Sequence, residues 1–124
     1  MKNECEGYLS YQNGDIFIGK LTLYFKKKLG KLILSDGSIF EGEFSDDKMW
    51  KGIFKFVNGD SFEGMFIDEK MSGKGVYKLS TGDILTGSWS NSTLHGEGTL
   101  TSIDGTKYKG LWEYGEFIKW IEEK

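Results

Sequence analysis

Residues 59–82 read GDSFEGMFIDEKMSGKGVYKLSTG, and the layout of this stretch recurs both before and after it. Its first residue, Gly59, ends a turn-favouring Asn-Gly pair. Phe62 and Phe66 then flank Gly64 at intervals of two residues, and a period of two is typical of a β-strand. The recurrence of the whole stretch indicates a repeat array.

Five such units, the last of them partial, follow a partial first unit at nearly constant spacing. The turn glycine that opens each unit, called here the marker glycine, recurs every 22 or 23 residues, at Gly14, Gly37, Gly59, Gly82 and Gly105. Each unit is expected to hold two strands joined by a polar loop. We place one domain at residues 1–124, with units at 1–13 (partial), 14–36, 37–58, 59–81, 82–104 and 105–115 (partial), followed by a cap at 116–124.

The turn at each marker glycine sets the register of its hairpin. A two-residue turn at Asn58-Gly59 would place Phe54 opposite Glu63 and mix apolar and charged side chains on one face. A three-residue loop over 57–59 instead places Phe54 opposite Phe62 and brings glycines of neighbouring strands together. We therefore predict the three-residue loop, with the marker glycine at positive φ in a bulge.

These hairpins predict an all-β fold, a single curled antiparallel meander sheet of about ten strands. Its apolar face carries most of the aromatic residues, and no second set of strands is available to form a sandwich. In the tail, Phe117, Trp120 and Ile121 follow the i, i+3, i+4 spacing of a short amphipathic helix. The same residues would also suit an additional edge strand. Either form would cap the sheet.

Composition narrows the function classes. The chain has 124 residues, 16 lysines without any arginine, and a formal net charge of −3. A nucleic-acid partner is not expected, because such binding favours basic surfaces and arginine forks. Cys5 is the single cysteine, and no signal-peptide pattern or long apolar run is visible. These features favour a cytoplasmic protein.

Catalytic and cofactor chemistry is not indicated either. One histidine, His95, and one cysteine do not provide a hydrolytic triad or a zinc site. The glycine pairs are not followed by Lys-Ser or Lys-Thr, so they do not form a phosphate-binding loop. We expect a protein that is not an enzyme and that needs no cofactor or metal.

Three stretches carry a family resemblance. They resemble the MORN repeat, whose pattern is Y-x-G-x-W with a later G-x-G, and they are Phe62 to Phe66 followed by Gly73-Lys74-Gly75, Leu85 to Trp89 followed by Gly96-Glu97-Gly98, and Tyr108-Lys109-Gly110-Leu111-Trp112. The resemblance extends from about Gly7 to Gly115. It implies stacked hairpins that form a curled sheet with an aromatic groove. It also implies a scaffold or adaptor role, often in cytoskeletal, ciliary or membrane-associated assemblies.

The principal functional hypothesis is that the groove binds a helix or an extended segment of a partner protein. The alternative is that the same side chains only pack on one another across strands. Self-association through open strand edges is a further option. The candidate groove residues are Phe40, Phe44, Phe62, Phe66, Tyr77, Leu85, Trp89, Tyr108 and Trp112.

A second hypothesis is an anionic phospholipid contact, with phosphoinositides as the lipid class. Lys26, Lys27 and Lys28 fall in the polar loop of the first unit, and Lys31 follows closely. Lysine clusters of this kind attract acidic membrane surfaces. A solvated loop explains the same residues, and the mild net acidity favours the scaffold hypothesis.

Overall fold

The computed structural model describes residues 4–121, which form one eleven-stranded antiparallel sheet in strict sequence order. The all-β meander is thus confirmed, with one strand more than the approximate expectation. The strands are β1 Glu4–Ser10, β2 Ile16–Thr22, β3 Lys27–Ile33, β4 Ile39–Ser45, β5 Lys48–Lys55, β6 Ser61–Ile67, β7 Lys70–Lys78, β8 Ile84–Ser90, β9 Thr93–Thr101, β10 Lys107–Glu113 and β11 Glu116–Trp120. No helix long and apolar enough to cross a membrane occurs among residues 4–121.

The five turns that end at the marker glycines, called here the marker turns, share one geometry. Between β5 and β6, the Phe56 N–H donates to the Asp60 carbonyl at 2.9 Å, and the Gly59 N–H donates to the Phe56 carbonyl at 3.0 Å. Residues 57–59 therefore form the three-residue loop predicted from the sequence. Gly59 has φ +98°, a conformation that glycine adopts without a steric penalty. Phe54 consequently pairs with Phe62.

The turns at the opposite edge of the sheet are tighter. Four of them are two-residue turns with both residues at positive φ, as in the type I′ turns that suit hairpins: Asp46-Asp47, Asp68-Glu69, Asn91-Ser92 and Tyr114-Gly115. The hairpin between β2 and β3 differs. There the Thr22 N–H donates to the Lys26 carbonyl at 2.8 Å, and the three residues Leu23, Tyr24 and Phe25 form the loop.

A row of glycines runs across ten strands, one glycine from each. Each member pairs with the glycine of the next strand, and the row is Gly7, Gly19, Gly30, Gly42, Gly52, Gly64, Gly75, Gly87, Gly98 and Gly110. A Cβ atom at Gly64 would lie 2.8 Å from the Phe62 ring. The row therefore leaves the space in which aromatic rings lie flat against the backbone.

The C-terminal segment is an edge strand, and the helical alternative is wrong. The Tyr114-Gly115 turn reverses the chain directly after β10, and β11 then pairs with β10. A register shift at Ile118 puts Phe117 and Trp120 on one face, which explains their helix-like spacing. Their ring centroids are 4.4 Å apart. Residues 1–3 and 122–124 of the expected domain and cap lie outside the described residues.

Candidate functional site

A column of six aromatic rings, called here the ring column, occupies the centre of the inner face. Phe40 and Phe44 are four residues apart, so their Cα atoms would be about 13 Å apart on an extended strand. Their ring centroids are only 5.2 Å apart, because both rings lean over the intervening Gly42. Five such edge-to-face pairs at 5.2–5.6 Å connect, in order, Phe17, Phe44, Phe40, Phe66, Phe62 and Trp89.

The ring column is the core of the protein. Phe17, Phe40 and Phe62 have no exposed surface, and each edge-to-face pair adds about 0.5–1.5 kcal/mol beyond its buried area. Trp112 is also buried and continues the packing with Phe117 at 5.3 Å. Six of the nine predicted groove residues are thus internal: Phe40, Phe44, Phe62, Phe66, Trp89 and Trp112.

A second set of apolar side chains lies beside the column and stays half-buried. We call these the groove wall: Tyr11, Leu34, Phe54, Phe56 and Tyr77. Phe56 connects the set, with centroids 4.7 Å from Phe54 and 5.7 Å from Tyr77. Of the predicted groove residues, Tyr77 belongs to this wall and Leu85 is half-buried next to it, while Tyr108 is 43% exposed near the last strand. Whether any of these residues binds a partner stays a prediction.

A cavity of about 390 Å³ opens beside the groove wall. Tyr11, Leu34 and Phe54 line it on the apolar side. Asp15 directly follows the first marker turn, whereas Asp47 and Glu69 come from turns at the opposite edge. The two edges of the sheet therefore approach each other around this cavity, and the inner face is concave there.

Lys27 places a cation at one end of the cavity. Its ammonium lies 3.1 Å from a carboxylate oxygen of Asp47, donates to the Tyr11 hydroxyl at 3.2 Å and sits 5.0 Å from the Tyr11 ring centroid. Burial acts to lower the pKa of Lys27, but the hydrogen bonds to Asp47 and Tyr11 outweigh it and raise the pKa above its usual value. Lys27 is therefore charged in place.

Asp60 holds the Tyr77 side chain of the groove wall in place through a hydrogen bond. The Tyr77 hydroxyl donates to Asp60 Oδ2 at 2.7 Å, and the Ser80 N–H donates to Asp60 Oδ1 at 2.7 Å. Burial and the hydrogen bond to Asp60 raise the pKa of Tyr77 to about 12, and the same hydrogen bond lowers the pKa of Asp60. The ring is thus held at the rim of the groove, next to an ionised carboxylate.

Comparison with protein-family models identifies the repeats. The MORN repeat model matches three consecutive stretches, at residues 40–61, 62–84 and 86–107. The chain belongs to the MORN repeat family. MORN repeats generally act in interactions with proteins or membranes and are typically non-enzymatic. A comparison with curated proteins finds no match.

The first MORN-like hairpin, β2–β3, holds the predicted lipid-contact lysines, which do not form one exposed loop. Strand pairing resumes at Lys27, whose side chain faces inward because it pairs with Leu21. Lys28, also in β3, forms an ion pair with Glu4. Lys26 is exposed at the loop, and Lys31 is exposed within β3. The four lysines therefore differ in environment: Lys26 and Lys31 are exposed, Lys27 faces inward and Lys28 pairs with Glu4.

The loop of this hairpin is apolar. Leu23, Tyr24 and Phe25 are 59%, 79% and 64% exposed. Phe25 has φ +61°, a left-handed conformation that is uncommon for a bulky side chain. The corresponding turns of the following repeats are short, and three of the four consist of polar residues.

His95 and Cys5, the residues considered for catalysis, lie in different parts of the sheet. His95 accepts a hydrogen bond from the Tyr114 N–H at 3.3 Å, its ring lies 4.9 Å from the Tyr114 ring, and Cys5 is exposed on β1. Among residues 4–121, no group of three or more His, Cys, Asp or Glu side chains is placed to hold a metal ion.

Sequence reasoning missed one recurring contact, the aspartate link between marker turns. An oxygen of Asp15 accepts from the Ser35 N–H at 2.9 Å, and Asp83 makes the same contact with the Ile103 N–H at 3.1 Å. Asp60 does so as well. The signal was present, since aspartate directly follows three of the five marker glycines. These bonds hold successive repeats at a fixed spacing along the groove.

Proposed function

We propose that this protein is a non-enzymatic cytoplasmic scaffold whose groove binds a helix or an extended segment of a partner protein. The observation that carries the proposal is the groove wall. Tyr11 and Phe54 of this wall line a cavity of about 390 Å³, and Phe56 and Tyr77 continue the half-buried set beside the packed ring column. Concave apolar surfaces with a few convergent polar groups favour ligand and peptide binding.

The test truncates two half-buried wall side chains at the margin of the core. The double variant Phe56→Ala, Tyr77→Ala is compared with Ile53→Ala, which removes an apolar side chain from the outward face of the same sheet. Partners are captured with the full chain, purified and measured directly. We expect the wall variant to bind at least tenfold more weakly, since truncating an anchor residue costs about 2 kcal/mol. Equal binding by both variants, with the fold intact, would contradict the proposal.

A second candidate function is membrane contact through the β2–β3 loop. The supporting observation is the exposed run Leu23, Tyr24 and Phe25, next to the exposed Lys26. Apolar side chains enter the interfacial region of a bilayer, and lysine favours acidic headgroups. The strained φ of Phe25 supports a role for this ring outside the packing of the fold.

Sedimentation with phosphoinositide-containing vesicles tests this second function. The wild-type chain should pellet with the vesicles, and the variant Leu23→Ser, Tyr24→Ser, Phe25→Gly should stay in solution. Glycine suits the positive φ at position 25, so the variant should fold. The electrostatic part should weaken as ionic strength rises. Absence of pelleting by the wild-type chain at low salt would remove this function.

A further inference from the structure

The marker turns carry a uniform charge. The five turns and the residues that directly follow them contain no lysine. Each contributes one carboxylate, and these are Asp15, Asp36, Asp60, Asp83 and Asp104. Since one marker turn follows another along the same edge of the sheet, the five carboxylates form an acidic line beside the groove.

Nothing within the described chain neutralises this line. The ion pairs among residues 4–121 involve Asp47, Glu4, Asp68 and Glu97, and none of the five marker-turn carboxylates. The five accept hydrogen bonds from neutral backbone, hydroxyl and amide groups instead. The hydrogen bonds to Asp60 and Asp104 lower the pKa of these two carboxyl groups.

The opposite rim of the groove adds a further carboxylate at the same place. Asp47, Lys48 and Glu69 line the cavity from the β4–β5 and β6–β7 turns, across from Asp15. Asp47 pairs with Lys27 and Lys48 pairs with Asp68, whereas Glu69 has no ion-pair partner among residues 4–121. Half-buried rings lie between the two rims and keep the local polarity low, which strengthens the attraction of a charge that enters. A segment lying on the groove wall would therefore have carboxylates on both sides.

The chain itself shows how a cation fits this groove. Lys27 lies over the Tyr11 ring at 5.0 Å, 5.9 Å from the Phe44 ring centroid, and pairs with Asp47. Ammonium groups over aromatic faces beside a carboxylate are a favourable combination. Further along, Phe54, Phe56 and Tyr77 present the same two elements, rings beside Asp60 and Glu69.

We propose that the groove selects a basic amphipathic segment, in which lysine or arginine residues flank large apolar side chains. The apolar side chains lie on the groove wall, and the cations face the marker-turn carboxylates and Glu69. This inference rests on the proposed scaffold function and names the partner's chemistry. Acidic segments are excluded from the groove by like-charge repulsion.

Selection of binding peptides from a random display library, with the full chain as bait, tests the proposal. The charge variant is Asp36→Asn, Glu69→Asn, Asp104→Asn. Asparagine already occupies the position of Asp36 and Asp104 in two other marker turns, and it suits the positive φ of Glu69. The matched control, Glu41→Gln, Glu43→Gln, Glu63→Gln, removes three charges from the outward face.

Enriched peptides should carry net positive charge and large apolar residues. They should bind the charge variant about tenfold more weakly, bind the control normally and lose affinity as salt rises. Neutral or acidic peptides whose binding is lost in Phe56→Ala, Tyr77→Ala would overturn the inference while leaving the scaffold function intact. If no enriched peptide depends on Phe56 and Tyr77, both proposals are wrong.

Discussion

The ring column and the groove wall are made of similar residues but occupy different environments. Phe62 of the column has no exposed surface and touches Phe66 and Trp89 edge to face. Phe56 of the wall directly precedes a marker turn, packs at a tilt against two neighbours and stays half-buried. The difference teaches that an aromatic ring that leans over the glycine row, as Phe62 does over Gly64 and Gly75, serves the fold, whereas a ring beside the row remains available to a partner.

Alanine at Phe62 should produce the largest effect. Removing a fully buried ring at the centre of the column leaves a cavity, and we expect a loss of about 3–5 kcal/mol in the free energy of unfolding. Phe56→Ala should cost about 1 kcal/mol, because a half-exposed ring gives up only part of its transfer free energy. Urea unfolding followed by circular dichroism measures both.

Comparable losses at the two positions would break the distinction between column and wall. If Phe62→Ala does not fold, Phe62→Leu provides the measurement, since its smaller change in volume should cost about 1–2 kcal/mol. The corresponding control is Phe56→Leu, which should have little effect on stability.

Alanine at Gly64 tests the space under the ring column. The added Cβ would lie 2.8 Å from Phe62 Cζ and 3.1 Å from the Lys74 carbonyl oxygen, so the ring must shift. We expect a loss of about 1–3 kcal/mol in unfolding free energy. Gly105→Asn is the control, because no atom lies within 4 Å of its added Cβ and asparagine tolerates its φ of +91°. A neutral Gly64→Ala would contradict the role assigned to the glycine row.

Phenylalanine at Tyr77 should have a smaller effect and one that depends on pH. Loss of the hydroxyl hydrogen bond to Asp60 should cost about 1 kcal/mol near neutral pH. Since the folded-state pKa of Tyr77 is raised to about 12 from an ordinary value near 10, its stabilising contribution is complete below pH 10 and is lost between about pH 10 and 12.

Urea midpoints of wild type and Tyr77→Phe across this range give the measurement. The two curves should converge as the pH rises from 10 to 12, and parallel curves would show that the Asp60 contact contributes nothing. At acidic pH, the Asp60 carboxyl group gives the opposite dependence of stability on pH. The lowered pKa of Asp60 stabilises the fold above its ordinary value near 3.8, and this contribution is lost as the pH falls below that value.

Most of the fold could be predicted because each hairpin is a local unit with its own signal. The marker turn at Asn58-Gly59 and the alternation around Gly64 together determine strand pairing, and both are readable in the sequence. Helix and strand could not be separated at Phe117 to Ile121, because a bulge produces the same spacing of apolar residues as a helical turn. Only pairing with β10 decides between them.

The candidate site was harder to predict, since burial depends on how far the sheet bends. Phe54 and Phe62 pair directly, yet Phe54 is half-exposed and Phe62 is fully buried. The alternation of residues assigns both to the same face and carries no information about the lean of each ring over its glycine. The inward direction of the Lys27 side chain could not be predicted for a related reason. Its strand register depends on the length of the loop at residues 23–25, and this loop has no polar turn motif in the sequence.

The smallest predicted effect concerns Lys27, which contacts both ring sets through Tyr11 and Phe44. A double-mutant cycle with Lys27→Met and Asp47→Asn should give a coupling of about 1 kcal/mol or less in unfolding free energy. The Lys27 side chain is only 10% exposed, but Asp47 is 41% exposed and is partly screened by water. Asparagine suits the φ of +66° at position 47 and retains an acceptor for the Lys27 N–H.

The coupling between Lys27 and Asp47 should also depend on pH. Because pairing raises the pKa of Lys27, the coupling should persist to above pH 10.5 and vanish as the ammonium deprotonates. A coupling that does not change with pH would show that Lys27 acts through apolar packing on the two rings and that its ion pair with Asp47 adds nothing.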